Sequence, residues 1–143
     1  MSTAAHFVSQ ATAEPGSIGK KSLWAGRILS GFVTAFLVFD AVIHLLRPAP
    51  VVEAFARLHL SIGLAVDLGI IELVCIALYV IPRTAILGAI LLTGYLGGAI
   101  ATQLTTSTSL FGEILFPVYV AAVVWGGLYL RDQQLRALVP WRR

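Results

Sequence analysis

Four apolar runs of near-bilayer length alternate with short polar breaks along this chain. They are Leu23–Leu46, Ser61–Ile81, Thr84–Leu104 and Leu110–Leu130. A helix needs ~20 apolar residues to cross the hydrocarbon core. The pattern therefore predicts four membrane-spanning helices, at about residues 23–46, 61–81, 84–104 and 110–130. The break Pro82-Arg83 is so short that the second and third spans must be antiparallel neighbours. After Arg47-Pro48-Ala49-Pro50 comes VVEAFARLHL, too short to span. Val51, Phe55 and Leu58 recur at spacings of four and three, with Glu53 and Arg57 off that face. The stretch reads as a short amphipathic helix that lies on the surface or caps the bundle. Pro117, inside the fourth run, predicts a kink. Gly94 and Gly98 form a G-x-x-x-G, and Gly97 and Ala101 repeat its spacing. Such small faces predict close helix packing.

Composition agrees with this pattern. The chain has 143 residues, 58% hydrophobic and 12% charged, and mean hydropathy +0.89. Soluble domains carry about 25% charged residues. The expected fold class is all-α: an integral membrane four-helix bundle forming one domain. Residues 1–22 are expected to form a disordered cytoplasmic tail and 131–143 a basic cytoplasmic tail. Basic residues set the orientation. With the N-terminus inside, Lys20, Lys21, Arg27, Arg83, Arg131, Arg136, Arg142 and Arg143 fall on the inner side, and only Arg47 and Arg57 outside. The positive-inside rule then predicts a multi-pass inner-membrane protein with both termini cytoplasmic. The net charge of +3 belongs to these span ends and signals no nucleic-acid partner. Cys75 is the only cysteine, so no dithiol relay exists within the chain. There is also no haem-attachment motif and no dinucleotide fingerprint.

The candidate chemistry lies in polar residues that lipid disfavours. Asp40 and His44 occupy the first span, Asp67 and Glu72 the second, Tyr95, Thr102 and Gln103 the third, and Glu113 begins the fourth. An acid at the bilayer centre costs at least ~2.5–3.5 kcal/mol on insertion scales, so such groups face a bundle interior or a wet cavity. At 1.5 Å per residue, all of them fall in the outer half or at the midplane. That asymmetry predicts a polar cavity opening outward. Asp40 and His44, four apart, share a helix face. Asp67 and Glu72, five apart, cannot both point at the bundle axis. Asp40, His44 and Glu72 are the candidate catalytic residues. Asp67, Tyr95, Thr102 and Gln103 are candidate ligand-binding residues. His44 and His59 with Asp40 and Glu72 supply metal-type donors, but His59 lies on the surface helix and no H-x-x-x-H or H-E-x-x-H is present, so no metal is expected.

Four stretches carry a further signal: GRILSGFVTAFLVFDAVIHLL, PAPVVEAFARL, LGIIELVCIALYVIPRTAILGAILLTGYLGGAIATQ and LFPVYVAAVVWGGLYLRDQQLRALVP. With them, nearly everything from Gly26 to Pro140 resembles the DoxX-like family of small four-helix membrane proteins. The resemblance implies a bundle in the cell membrane. Some relatives look like quinone-linked subunits of thiosulfate oxidation; others are associated with membrane oxidoreductase complexes in thiol and oxidative stress. By this likeness Asp40 and Glu72 fall on recurring acidic positions. Relatives often carry histidine where this chain has Gln103, which can hydrogen-bond but carries no proton at neutral pH. The leading expectation is a protein that binds a quinone-like or other lipophilic small molecule, as subunit of or accessory to a redox complex, with electrons from a partner redox protein or a bound cofactor. A homo-oligomer is a further expected assembly. Two other classes stay open: a stand-alone acid–base enzyme (isomerase or hydrolase) on a lipophilic substrate, and a membrane scaffold whose acids only join helices.

Overall fold

The computed structural model describes residues 19–105 and 110–138. The tail expectations fall mainly on residues 1–18 and 139–143, outside the described ones. Among the described residues, six α-helices and one π-helical turn follow in order: α1 Lys20–Leu46, α2 Ala49–Arg57, α3 Gly63–Val80, α4 Ala85–Gln103, the π-helical turn Leu110–Ile114, α5 Phe116–Arg131 and α6 Gln133–Leu138. Four helices are long and apolar enough to cross a membrane: α1, α3, α4 and the stretch Phe111–Arg131. Phe32, Phe39, Ile70, Val74 and Ile90 stand exposed on their outer surfaces. Lipid accepts such a surface; water opposes it.

The helices form a ring in the order α1, α3, α4, α5, each packed on the next and α5 closing on α1. Val33, Leu37, Cys75, Ile76, Leu92, Val124 and Leu128 fill the core. At the end that carries α2, α1 stops on Arg47, whose left-handed φ of 51° turns the chain into Pro48. The ring of Pro48 blocks continuation of the helix. As the spacing predicts, α2 buries Phe55, half-buries Val51 and Leu58, and exposes Glu53 and Arg57. It closes with His59 at φ 55° and a Leu60 N–H to Phe55 carbonyl bond of 2.9 Å.

Two expectations change. Pro117 does not kink a continuous span. It sits in the first turn of α5, where its missing N–H is no loss, and the π-helical turn precedes it. The G-x-x-x-G of α4 makes no close approach: a methyl added at Gly94, Gly97 or Gly98 meets nothing within 4 Å. The tight contacts lie elsewhere. A methyl at Gly26 would come within 2.8 Å of the Arg131 backbone nitrogen, and one at Gly127 within 2.7 Å of Ser30 Oγ. Gly88 abuts the Leu78–Tyr79 backbone, which lets α3 and α4 meet directly after their short link.

Polar ties hold the end of the bundle opposite α2. The Tyr79 hydroxyl donates to the Val124 carbonyl at 2.9 Å and meets Ser30 Oγ at 3.0 Å, joining α3, α5 and α1. Arg131 donates to the Tyr79 carbonyl at 3.1 Å and stacks over its ring. A short helix, α6, stands where a tail was expected. Asp132 Oδ1 accepts the Leu135 N–H at 3.0 Å as its cap. Arg136 folds back to the Tyr129 and Leu130 carbonyls and to Ser22.

Candidate functional site

Three helices bring one polar cluster together. Asp40 and His44 come from α1, Glu72 from α3 and Tyr95 from α4. The ring order explains the convergence: α3 lies between α1 and α4, so a single residue on it can face both. Glu72 lies midway along α3, and its side chain is 0% exposed. Asp40 lies six residues before the α2 end of α1, about 9 Å along the axis. The cluster therefore occupies the half of the bundle nearer α2.

The cluster forms a graded line from surface to interior. The Asp40 side chain is 42% exposed, that of His44 19%, and that of Glu72 is enclosed. Asp40 Oδ2 lies 3.4 Å from His44 Nδ1, which lies 3.8 Å from Glu72 Oε2. The Tyr95 hydroxyl donates to Glu72 Oε2 at 3.1 Å. Glu72 Oε1 and His44 Nδ1 are buried with no hydrogen-bond partner. The 3.8 Å separation is too long for a hydrogen bond. Neither carboxylate meets a lysine or arginine among the described residues. Buried polar atoms are nearly always satisfied, so these unpaired atoms call for an explanation.

Backbone contacts explain how the cluster is positioned. Gly69 sits one turn before Glu72 on α3. A methyl there would meet the Ala41 carbonyl at 3.0 Å and His44 Cβ at 3.2 Å. The absent side chain lets α1 come close enough to set His44 beside Glu72. On the other side, the Phe55 ring of α2 stands edge-on to the His44 imidazole, with centroids 6.0 Å apart. The short helix thus caps the site through its one buried aromatic residue. Sequence reading did not single out Gly69 or Phe55 as site-shaping residues. The signal available was a small residue three positions before a buried acid, and an aromatic on the apolar stripe of a capping helix.

The remaining sequence candidates lie apart from the cluster. Asp67 is exposed on α3, one turn and a half from Glu72. Thr102 donates to the Gly98 carbonyl of its own helix at 2.9 Å. Gln103 ends α4. Among the described residues, no hydrogen bond or ion pair joins Asp67, Thr102 or Gln103 to Asp40, His44 or Glu72. His59 is exposed beyond α2.

These features define a class: a multi-pass helical membrane protein with an acidic–imidazole cluster between its spans. Residues 28–127, well over half of the chain, match the DoxX-like family, and the chain belongs to that family. No curated protein and no solved structure matches it.

Proposed function

We propose that this protein binds a lipophilic small molecule of the quinone type at Asp40, His44, Glu72 and Tyr95, as a subunit of or accessory to a membrane redox complex. The observation that carries the reading is the enclosed Glu72, hydrogen-bonded by Tyr95 and linked through His44 to the half-exposed Asp40. A quinol hydroxyl would donate to the orphaned Glu72 Oε1, and a quinone carbonyl would accept from a His44 Nδ1–H. Carboxyl and imidazole groups in a line can also move protons between the bundle interior and its surface. Electrons would come from a partner redox protein. The membrane is the cell's inner membrane, with both termini cytoplasmic; the distribution of arginine and lysine supports that orientation.

Mass spectrometry of the organic extract from purified protein tests the reading, with wild type compared against Asp40→Asn/Glu72→Gln. A stoichiometric lipophile in wild type that is lost in the double variant is the expected result. Absence of any lipophile, with thermal stability changed by the substitutions, points instead to a scaffold whose acids join helices. Reporter fusions at each terminus test the orientation; an external terminus refutes it.

One observation favours a second reading, an acid–base enzyme on a lipophilic substrate. The two carboxyl groups differ sharply in exposure while sharing one imidazole. Differing environments are how paired carboxyls divide acid and base roles. Turnover of a lipophilic substrate by the purified chain, without any redox partner, separates this reading from the first.

A further inference from the structure

We infer that Asp40, His44 and Glu72 bind a divalent first-row transition-metal ion, of the zinc, manganese or iron type. The inference rests on the reading of this cluster as the working site of the chain and adds the cofactor it takes. His59, the other histidine weighed from the sequence, has no part in it.

One donor atom from each of the three residues lies within 4.8 Å of the other two. Donors around one tetrahedral ion, at ~2.0–2.2 Å from it, stand roughly 3.3–3.6 Å apart. The 3.4 Å between Asp40 and His44 fits directly, and the 3.8 Å between His44 and Glu72 needs a contraction of a few tenths of an ångström. Hydrogen-bonded pairs would sit nearer, at about 2.7–3.2 Å. The remaining pair, Asp40 and Glu72, lies within 4.8 Å and closes further on binding.

Satisfaction and charge give the second argument. Glu72 is enclosed, yet its Oε1 has no partner, and neither has His44 Nδ1. As metal ligands, two carboxylates and a neutral imidazole would carry two negative charges. No lysine or arginine pairs with them among the described residues. A dication would cancel that charge within the bundle. An imidazole nitrogen with carboxylate oxygens selects zinc, manganese or iron over the soft thiophilic ions. Tyr95 supplies the outer support: its hydroxyl bonds Glu72 Oε2 and fixes the carboxylate. Three protein donors leave at least one coordination position open, and a ligand oxygen can take it.

The full-length protein, purified in detergent and stripped with a chelator, is titrated with cobalt(II) and then competed with zinc(II). The expected result is one ion per chain, with visible ligand-field bands that zinc abolishes. Asp40→Asn, His44→Ala and Glu72→Gln should each weaken binding by more than about 100-fold, and Tyr95→Phe by ~10-fold. His59→Ala and Asp67→Asn should bind as wild type. Size-exclusion profiles identify any variant that fails to fold, and Tyr95→Phe, the mildest change, keeps the comparison informative. No bound ion in wild type, or binding indifferent to the three donors, overturns the inference. Organic extracts of the same samples separate the two proposals. A lipophile without an ion refutes the metal site alone; an ion without a lipophile upholds the metal site and refutes the lipophile reading.

Discussion

Gly69→Ala separates the stability of the bundle from the geometry of its site. The added methyl would stand 3.0 Å from the Ala41 carbonyl oxygen and 3.2 Å from both His44 Cβ and Leu45 Cγ. Neither the carbonyl nor the His44 Cβ can rotate away, so α1 and α3 must separate by a few tenths of an ångström. Such overpacking costs about 1–3 kcal/mol. Alanine in place of glycine inside a helix returns about 0.8–1.0 kcal/mol. The net loss of stability should therefore stay within ~2 kcal/mol, and the protein should fold. The site has less tolerance: constellations of this kind need their groups held within about 0.5 Å. The shift falls directly on the His44–Glu72 separation, already 3.8 Å. Binding of lipophile or cobalt should fall at least ~10-fold while thermal unfolding changes little. Gly94→Ala is the control. Its methyl meets nothing within 4 Å, so it should raise stability by ~0.5–1 kcal/mol and leave binding alone. Wild-type binding by Gly69→Ala would refute the reasoning, and so would equal losses of binding in both variants.

Three further outcomes follow from the same contacts. Glu72→Gln keeps the size and the Tyr95 hydrogen bond but removes an enclosed charge; thermal stability of the unliganded protein should hold or rise by ~1 kcal/mol as ligand retention disappears, and a large loss of stability would contradict this. Tyr79→Phe breaks the ties to Ser30 and Val124 in the other half of the bundle and should cost about 1–2 kcal/mol in thermal unfolding with binding unchanged. Gly88→Val drives side-chain atoms into the Leu78–Tyr79 backbone, so expression of folded protein should collapse, while Gly97→Val, facing open space, should be tolerated on size-exclusion analysis.

The fold was largely legible because its determinants are local. Run length, the prolines after Arg47 and the two-residue break at Pro82-Arg83 specify four spans and their antiparallel neighbours without knowledge of packing. The periodicity of Val51, Phe55 and Leu58 likewise specified α2 and the face it buries. Near Pro117 the fourth span is interrupted as expected, but hydropathy does not show the form of the break: a π-helical turn, a bend at Leu115 and a helix restart at Phe116 that puts the proline in a first turn. The glycines were misread for a related reason. Spacing shows that Gly94 and Gly98 share a face, but not which face meets another helix. Gly26 and Ser30 have the same spacing and make the contact instead.

The candidate site divides along the same line. Asp40, His44 and Glu72 stood out from the sequence because each is costly in lipid, and cost is a property of residue type and depth. That cost alone also nominated Asp67, Thr102 and Gln103, which the helix rotations leave apart from the cluster. The sequence by itself determined the solvent of this protein, the number and approximate ends of its spans, and the short list of polar residues that need an explanation. Only the tertiary structure decided that Glu72 meets His44 on one side and Tyr95 on the other, that Gly69 makes room for that meeting, and that two buried atoms of this cluster are left without hydrogen-bond partners. The physical reason is rotation: turning a helix about its axis leaves the run, its hydropathy and its depth unchanged, yet it changes every side-chain neighbour. That angle is set by close contacts between helices, which no single run of residues contains.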